Sequence, residues 1–157
     1  MRQALELIAS IVICELVGVI GGLFTAPAIA TWYNLLRKPS FNPPAWVFGP
    51  VWTALYLMMG VAAFLVWRKG WGNAQVKVAL VVFGLQLLLN FLWSPVFFGM
   101  RSPLGGLLVI VPLWGAILAT IVLFARVSVP VAVLMVPYLL WVSFATVLNY
   151  ALYLLNA

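Results

Sequence analysis

The chain of 157 residues contains no histidine, one cysteine (Cys14) and two acidic residues, Glu6 and Glu15. Each shortage removes a class of chemistry. Without histidine there is no imidazole base for a serine or cysteine nucleophile, and the common zinc constellations lose their ligands. A haem iron would lack its most usual protein ligand. A single cysteine closes no intrachain disulfide. Charge is scarce as well. Charged residues are 6% of the chain, too few for the mixed polar surface of a water-soluble domain of this length. No metal site and no required cofactor is expected.

What fills the chain is apolar. Hydrophobic residues make up 67% of it, and its mean hydropathy is +1.22. Five blocks reach the roughly 20 apolar residues that a spanning helix needs. They are, approximately, Leu5–Phe24, Trp46–Trp67, Val78–Phe98, Leu104–Ala125 and Val129–Leu155. The connections Arg68–Asn73, Met100–Pro103 and Arg126–Ser128 are short, and only the first, Thr25–Ala45, is long. The pattern predicts an all-α integral membrane protein of one domain over 1–157, a five-helix bundle with one elaborated loop between helices 1 and 2. The first block starts with Arg2, and Ala26-Pro27-Ala28 and Ala28-Ile29-Ala30 resemble signal-peptide cleavage sites. Its length and the acid at Glu15 favour a retained span.

The net charge of +6 arises from eight Lys and Arg residues set singly or in pairs between apolar blocks. That is the pattern of loops at a lipid headgroup surface, and no basic face for nucleic acid is present. Arg2, Arg68, Lys69, Lys77 and Arg126 fall on the N-terminal side, and Arg37, Lys38 and Arg101 on the other. The excess favours a cytoplasmic N-terminus. Prolines at 50, 95, 112 and 137 interrupt the spans; each removes a backbone donor and is expected to bend its helix. Gly18 and Gly22 have the G-x-x-x-G spacing, read here as close packing inside the bundle in preference to a dimer seam.

Some residues are too polar or too aromatic to be filler. Gln86, Asn90, Trp93 and Phe97 recur along one face of the third block. An unpaired amide in hydrocarbon is costly, so this face should point into the bundle. Trp52 and Tyr56 share a face of the second block, and Tyr138, Trp141, Ala145 and Asn149 a stripe of the fifth. Any one of these is ordinary core or belt. Three such faces together suit a flat pocket with aromatic walls and a few polar contacts. Trp46, Trp67 and Trp71 read as interfacial anchors. Glu15 is an isolated acid within a span, a functional candidate by default, and no Lys or Arg of another span lies at its depth.

These residues also form long runs: W-Y-x-x-L-x-K-P (Trp32 to Pro39), N-P-P-x-W-V-F-G-P-V-W (Asn42 to Trp52) and L-Y-x-x-M-G (Leu55 to Gly60). They are followed by Q-L-x-L-N-x-x-W-x-P-x-F-F-G (Gln86 to Gly99) and P-Y-L-x-W-x-x-F-A-T-x-L-N-Y (Pro137 to Tyr150). From Trp32 to Tyr150 the chain resembles the TspO/MBR family of tryptophan-rich sensory proteins and translocator proteins, or peripheral-type benzodiazepine receptors. The resemblance implies a five-helix bundle, often a homodimer, whose cavity binds porphyrins, sterols in the mitochondrial members, and synthetic benzodiazepine-type ligands.

It further implies that the first loop is a lid over the cavity mouth. By matching motifs the ligand contacts would be Tyr33 and Pro43 from the lid region, Trp52 and Tyr56 from helix 2, Asn90 and Trp93 from helix 3, and Trp141 and Ala145 from helix 5. Arg37 and Lys38 of the lid would face the acid edge of a porphyrin. Two features depart from the family. After Val147-Leu148-Asn149-Tyr150 no Lys or Arg occurs among Ala151 to Leu155, which argues against a sterol ligand. The charge count also gives the orientation opposite to the mitochondrial members.

The sequence therefore points to a multi-pass membrane receptor or carrier for porphyrin, in the cell membrane if the source is bacterial. An enzyme that degrades porphyrin in light through Trp52 and Trp141 is the weaker reading, because no acid-base machinery accompanies them. A regulatory membrane partner without transport is the third.

Overall fold

In hydrocarbon a helix is the open-ended backbone form that satisfies all its own N–H and C=O groups, and every apolar block adopts it. The computed structural model describes all 157 residues, with five helical spans long and apolar enough to cross a membrane. Span one is α1 (Arg2–Ala28), prolonged by a wider π-type turn, Ile29–Tyr33. Span two is α2 (Ala45–Trp67). Span three is α3 (Ala74–Ser94) with a second π-type turn, Pro95–Gly99. Span four is α4 (Pro103–Val127). Span five is α5 (Val129–Val133) followed by α6 (Val136–Asn156).

The expected five-helix bundle is the fold found, with one correction of consequence. Helix 1 does not stop at Phe24. It runs through Pro27 to Tyr33, so nearly half of the expected loop Thr25–Ala45 is helix, and the true loop is 34–44. Pro27 lies inside the helix, and a spanning helix tolerates proline where neighbours cover it. Thr25 and Thr31 hydroxyls donate to the carbonyls of Gly21 (3.1 Å) and Pro27 (2.8 Å) on either side of it.

Other prolines divide into two kinds. Pro50 and Pro112 sit within unbroken helices. Pro95 opens the π-type turn, where Met100 N–H reaches back to the Pro95 carbonyl at 2.8 Å. Pro137 breaks span five: just before it, Leu134 and Met135 bond three residues back to Val131 and Ala132. Asn73 caps α3 by accepting from the Gln75 N–H at 2.9 Å, which starts this helix earlier than the expected Val78. Ser102 caps α4 through the Gly105 N–H at 3.0 Å. The two tight turns use left-handed backbone at Gly70 (φ 102°) and Arg101 (φ 54°).

Helix pairs α1/α2, α3/α4 and α4/α6 pack side by side, and α1 also leans on α3. At the end carrying Trp67 and Lys77 the bundle is solid. Met59, Ala62, Val66, Val76 and Ala79 are buried there, and Phe83 stacks on Phe124 with centroids 5.8 Å apart. There α1 and α2 come into backbone contact: a Cβ on Gly60 would lie 2.6 Å from the Ile11 Cα, and Ser10 Oγ donates to the Gly60 carbonyl at 2.8 Å. A second, smaller core at the lid end joins Ala28, Tyr33, Phe97, Phe98, Leu148 and Leu152. α2 and α6 are not a close pair, and the space between them remains open.

Candidate functional site

That space is a cavity of about 390 Å³, walled by α1, α2, α3 and α6 with the two π-type turns, and untouched by α4. Its size and largely apolar wall suit a drug-sized molecule. Of the eight contacts expected from the sequence, the wall includes Tyr33, Trp52, Tyr56, Asn90, Trp93, Trp141 and Ala145. Pro43 is not in the wall; its carbonyl accepts from Asn42 Nδ2 at 3.0 Å within the loop. Tyr33 reaches the wall from the end of helix 1 and not from the loop, because helix 1 is longer than expected.

Each aromatic is held by another. Trp52 lies 5.6 Å from the Tyr56 ring and 6.2 Å from Tyr138, edge-on to the latter. Trp93 stacks on Phe97 at 4.9 Å, and Phe48 meets Trp141 at 6.1 Å. Such pairs fix ring planes, so a flat ligand would meet preset faces. On α1 the ring of Tyr56 packs directly on Gly18, leaving no room for a side chain there, and Gly21 is buried beside Ser94. Of the two glycines expected to pack within the bundle, Gly18 does so, whereas Gly22 has no neighbour against it and lines the cavity.

The polar groups form two chains. In the first, Tyr56 OH donates to Asn90 Oδ1 (2.5 Å), Asn90 Nδ2 donates to Tyr138 OH (2.6 Å), and Tyr138 OH donates to Gln86 Oε1 (2.9 Å). This is how the amides of the third block are satisfied in an apolar bundle. In the second, Trp93 Nε1 donates to Asn149 Oδ1 (3.2 Å), and Asn149 Nδ2 to the Pro103 carbonyl (2.8 Å). One buried donor is left over: Trp141 Nε1 has no acceptor in the protein.

The loop is tied down at both ends. Tyr33 OH donates to Asn42 Oδ1 at 2.7 Å. Asn156, the last residue of α6, clasps the Arg37 backbone, accepting from its N–H at 2.9 Å and donating to its carbonyl at 3.0 Å. The two cations differ. Lys38 folds back, its ammonium on the carbonyls of Asn34 (3.2 Å) and Leu36 (3.4 Å) and 5.1 Å from the Tyr33 ring centre. The Arg37 side chain is exposed, and neither residue lines the cavity itself.

Several wall residues were not among the expected contacts. Phe48, Phe98 and Leu152 belong to them, and so does a stripe on α1: Glu15, Gly18, Gly22 and Ala26. The signal for the stripe was its helical spacing, with one acid and three small residues on a single face.

Five spans around a cavity with aromatic walls, with a tethered loop joining the first two, define a multi-pass membrane protein. Its sequence carries that class to a family. The profile of the TspO/MBR family matches residues 10–154, and the chain belongs to that family. It is 50% identical over 155 residues to the Tryptophan-rich protein TspO of Chlorobaculum tepidum, covering 99% of this chain and 98% of that protein. It is 42% identical over 125 residues to the Tryptophan-rich sensory protein of Cereibacter sphaeroides (80% and 77%), and 41% identical over 135 residues to the human Translocator protein (85% and 80%).

Proposed function

We propose that the protein is a receptor or carrier that binds porphyrins and similar flat apolar molecules in this cavity. The observation that carries the reading is the wall itself. Trp52, Trp93 and Trp141 stand on three different helices around one space of about 390 Å³, held by neighbouring rings and hydrogen bonds. A planar macrocycle gains from such faces, and the unpaired Trp141 N–H offers a donor to a carbonyl or carboxylate. The names of the relatives, sensory protein and translocator protein, accord with a binding role. Titrating the purified protein with protoporphyrin should quench tryptophan fluorescence saturably at one equivalent per chain. Quenching that rises linearly, as in empty detergent, would sink the proposal.

A second reading has its own support: Trp52 and Trp141 both line the cavity, where light could drive their reaction with a bound porphyrin. Under illumination an enzyme consumes excess porphyrin over many turnovers, whereas a binder stops once its own tryptophans are spent. Trp52→Phe/Trp141→Phe should slow bleaching of bound porphyrin under either reading. An unchanged rate would remove both tryptophans from the photochemistry. We favour binding, because Glu15 is the one acid or base in the wall. A homodimer remains part of the proposal, and a sterol ligand does not: Tyr150 is exposed with no basic residue after it.

A further inference from the structure

Glu15 is given no ligand contact in the reading above, yet it stands in the cavity wall as its sole charged side chain. It is the lining residue of α1 nearest the N-terminus, hence the deepest: about 20 Å along the helix from Arg2 and about 27 Å from Tyr33, at 1.5 Å per residue. The ion pair of the chain joins Arg2 to Glu6 at 2.9 Å and leaves Glu15 without one. No Lys or Arg lines the cavity.

The tyrosine and amide donors nearest it are committed elsewhere. Gly18, one turn along α1, is covered by the Tyr56 ring, so Tyr56 is Glu15's neighbour on α2. The Tyr56 hydroxyl donates to Asn90, and Asn90 donates to Tyr138. A carboxylate in the hydrocarbon layer is costly unless something pairs with it, and such residues face a bundle interior or cavity with a partner at hand. Here the fold supplies the cavity and no partner.

The geometry points to Glu15 as a ligand-binding residue, accepting a hydrogen bond from a cationic or N–H-bearing nitrogen on the deep edge of a planar aromatic ligand. The site then has polarity, with an acid at its floor and the Arg37-Lys38 pair outside its mouth. A ligand with both kinds of edge enters nitrogen first and keeps any carboxylate towards the loop. This inference rests on the reading of the cavity as a ligand site and adds the chemistry of its floor.

Two probes of matching shape test it: 9-aminoacridine, a flat monocation at neutral pH, and 9-methylanthracene, its neutral counterpart. Binding is followed by probe anisotropy in lipid nanodiscs, with protein-free discs subtracted. The wild-type protein should favour the cation by about tenfold or more, the scale of a hydrogen bond to a charged group. Glu15→Gln should remove that preference and leave 9-methylanthracene binding unchanged. Equal wild-type affinities, or a preference that survives Glu15→Gln, would overturn the assignment. The wild-type comparison decides alone if the variant does not fold. Protoporphyrin titrated into the same discs separates the two levels. If it binds and the acridine preference is absent, the role of Glu15 fails. If none of the three binds, the ligand cavity fails with it.

Discussion

At the scale of single residues, Asn90 shows how geometry revises a sequence expectation. Its place on the Trp93 face and the matching motif marked it as a ligand contact. In the structure its carbonyl accepts from Tyr56 and its amide donates to Tyr138, so two tyrosine hydroxyls depend on it. Asn90→Leu should therefore lower stability by about 1–3 kcal/mol through the stranded Tyr56 donor, as well as weaken a carbonyl-bearing ligand. Thermal unfolding in detergent checks the first effect; an unshifted midpoint would mean that the chain of hydroxyls and amides is not a support. Much of the wall was legible from spacing, because Gln86, Asn90, Trp93 and Phe97 had to face inward on a spanning helix. Glu15 was legible as an anomaly only. Its direction depends on how α1 lies against α2, which the contact between Ile11 and Gly60 decides, and no local pattern records a contact 49 residues away (60 − 11).

At the scale of elements, the loop and the helix ends matter most. The loop was read as lying between Thr25 and Ala45, whereas the helix continues through Pro27. The apolar residues Ala28 and Ile29 after it were the better guide, since they pack with Phe97 and Leu148 and keep the backbone helical to Tyr33. The shorter loop brings Arg37 and Lys38 to the rim, with Lys38 partly occupied by the Asn34 and Leu36 carbonyls. Arg37→Ala/Lys38→Ala should weaken a dicarboxylic porphyrin by about two- to fivefold, spare a neutral benzodiazepine-type ligand, and lose its effect in high salt. Equal losses for both ligands would return the pair to a headgroup role. The α1/α2 contact is tested separately. Gly60→Val puts atoms where the Ile11 backbone stands, and overpacking of this kind costs about 1–3 kcal/mol. A normal melting midpoint for that variant would show that the two helices can part there at no cost.

For the whole molecule, the five spans carry Arg2, Arg68, Lys69, Lys77 and Arg126 to one side and Arg37, Lys38 and Arg101 to the other. The bias of basic residues predicts that the first side is cytoplasmic and that the loop 34–44 faces out. In a Cys14→Ala background, Ser40→Cys should react with an impermeant maleimide on intact cells, and Gly72→Cys only after lysis. The opposite pattern would reverse the orientation and with it the side from which ligand arrives. Fold class was readable here for a plain reason: hydrocarbon permits few backbones, and five apolar runs of spanning length leave little choice. The cavity's position was not, because it follows from which helix pairs stay apart, a property of the assembled bundle.

α4 carries a further consequence. It braces α3 on one side and α6 on the other, and it supplies no atom to the cavity wall. Drift in its sequence is therefore answerable to packing and to lipid alone. Gly106, where an added Cβ would fall 2.6 Å from Asn149 Oδ1, and the buried Ile110, Leu113 and Ile117 tolerate little change. The outward Leu108, Val111 and Leu118 accept any greasy substitute. Across a saturation library α4 would split into one intolerant face and one indifferent face. The indifferent face would leave ligand preference alone, and the intolerant face would reach it only at second hand, through Pro103 and Gly106 against Asn149 and Phe97.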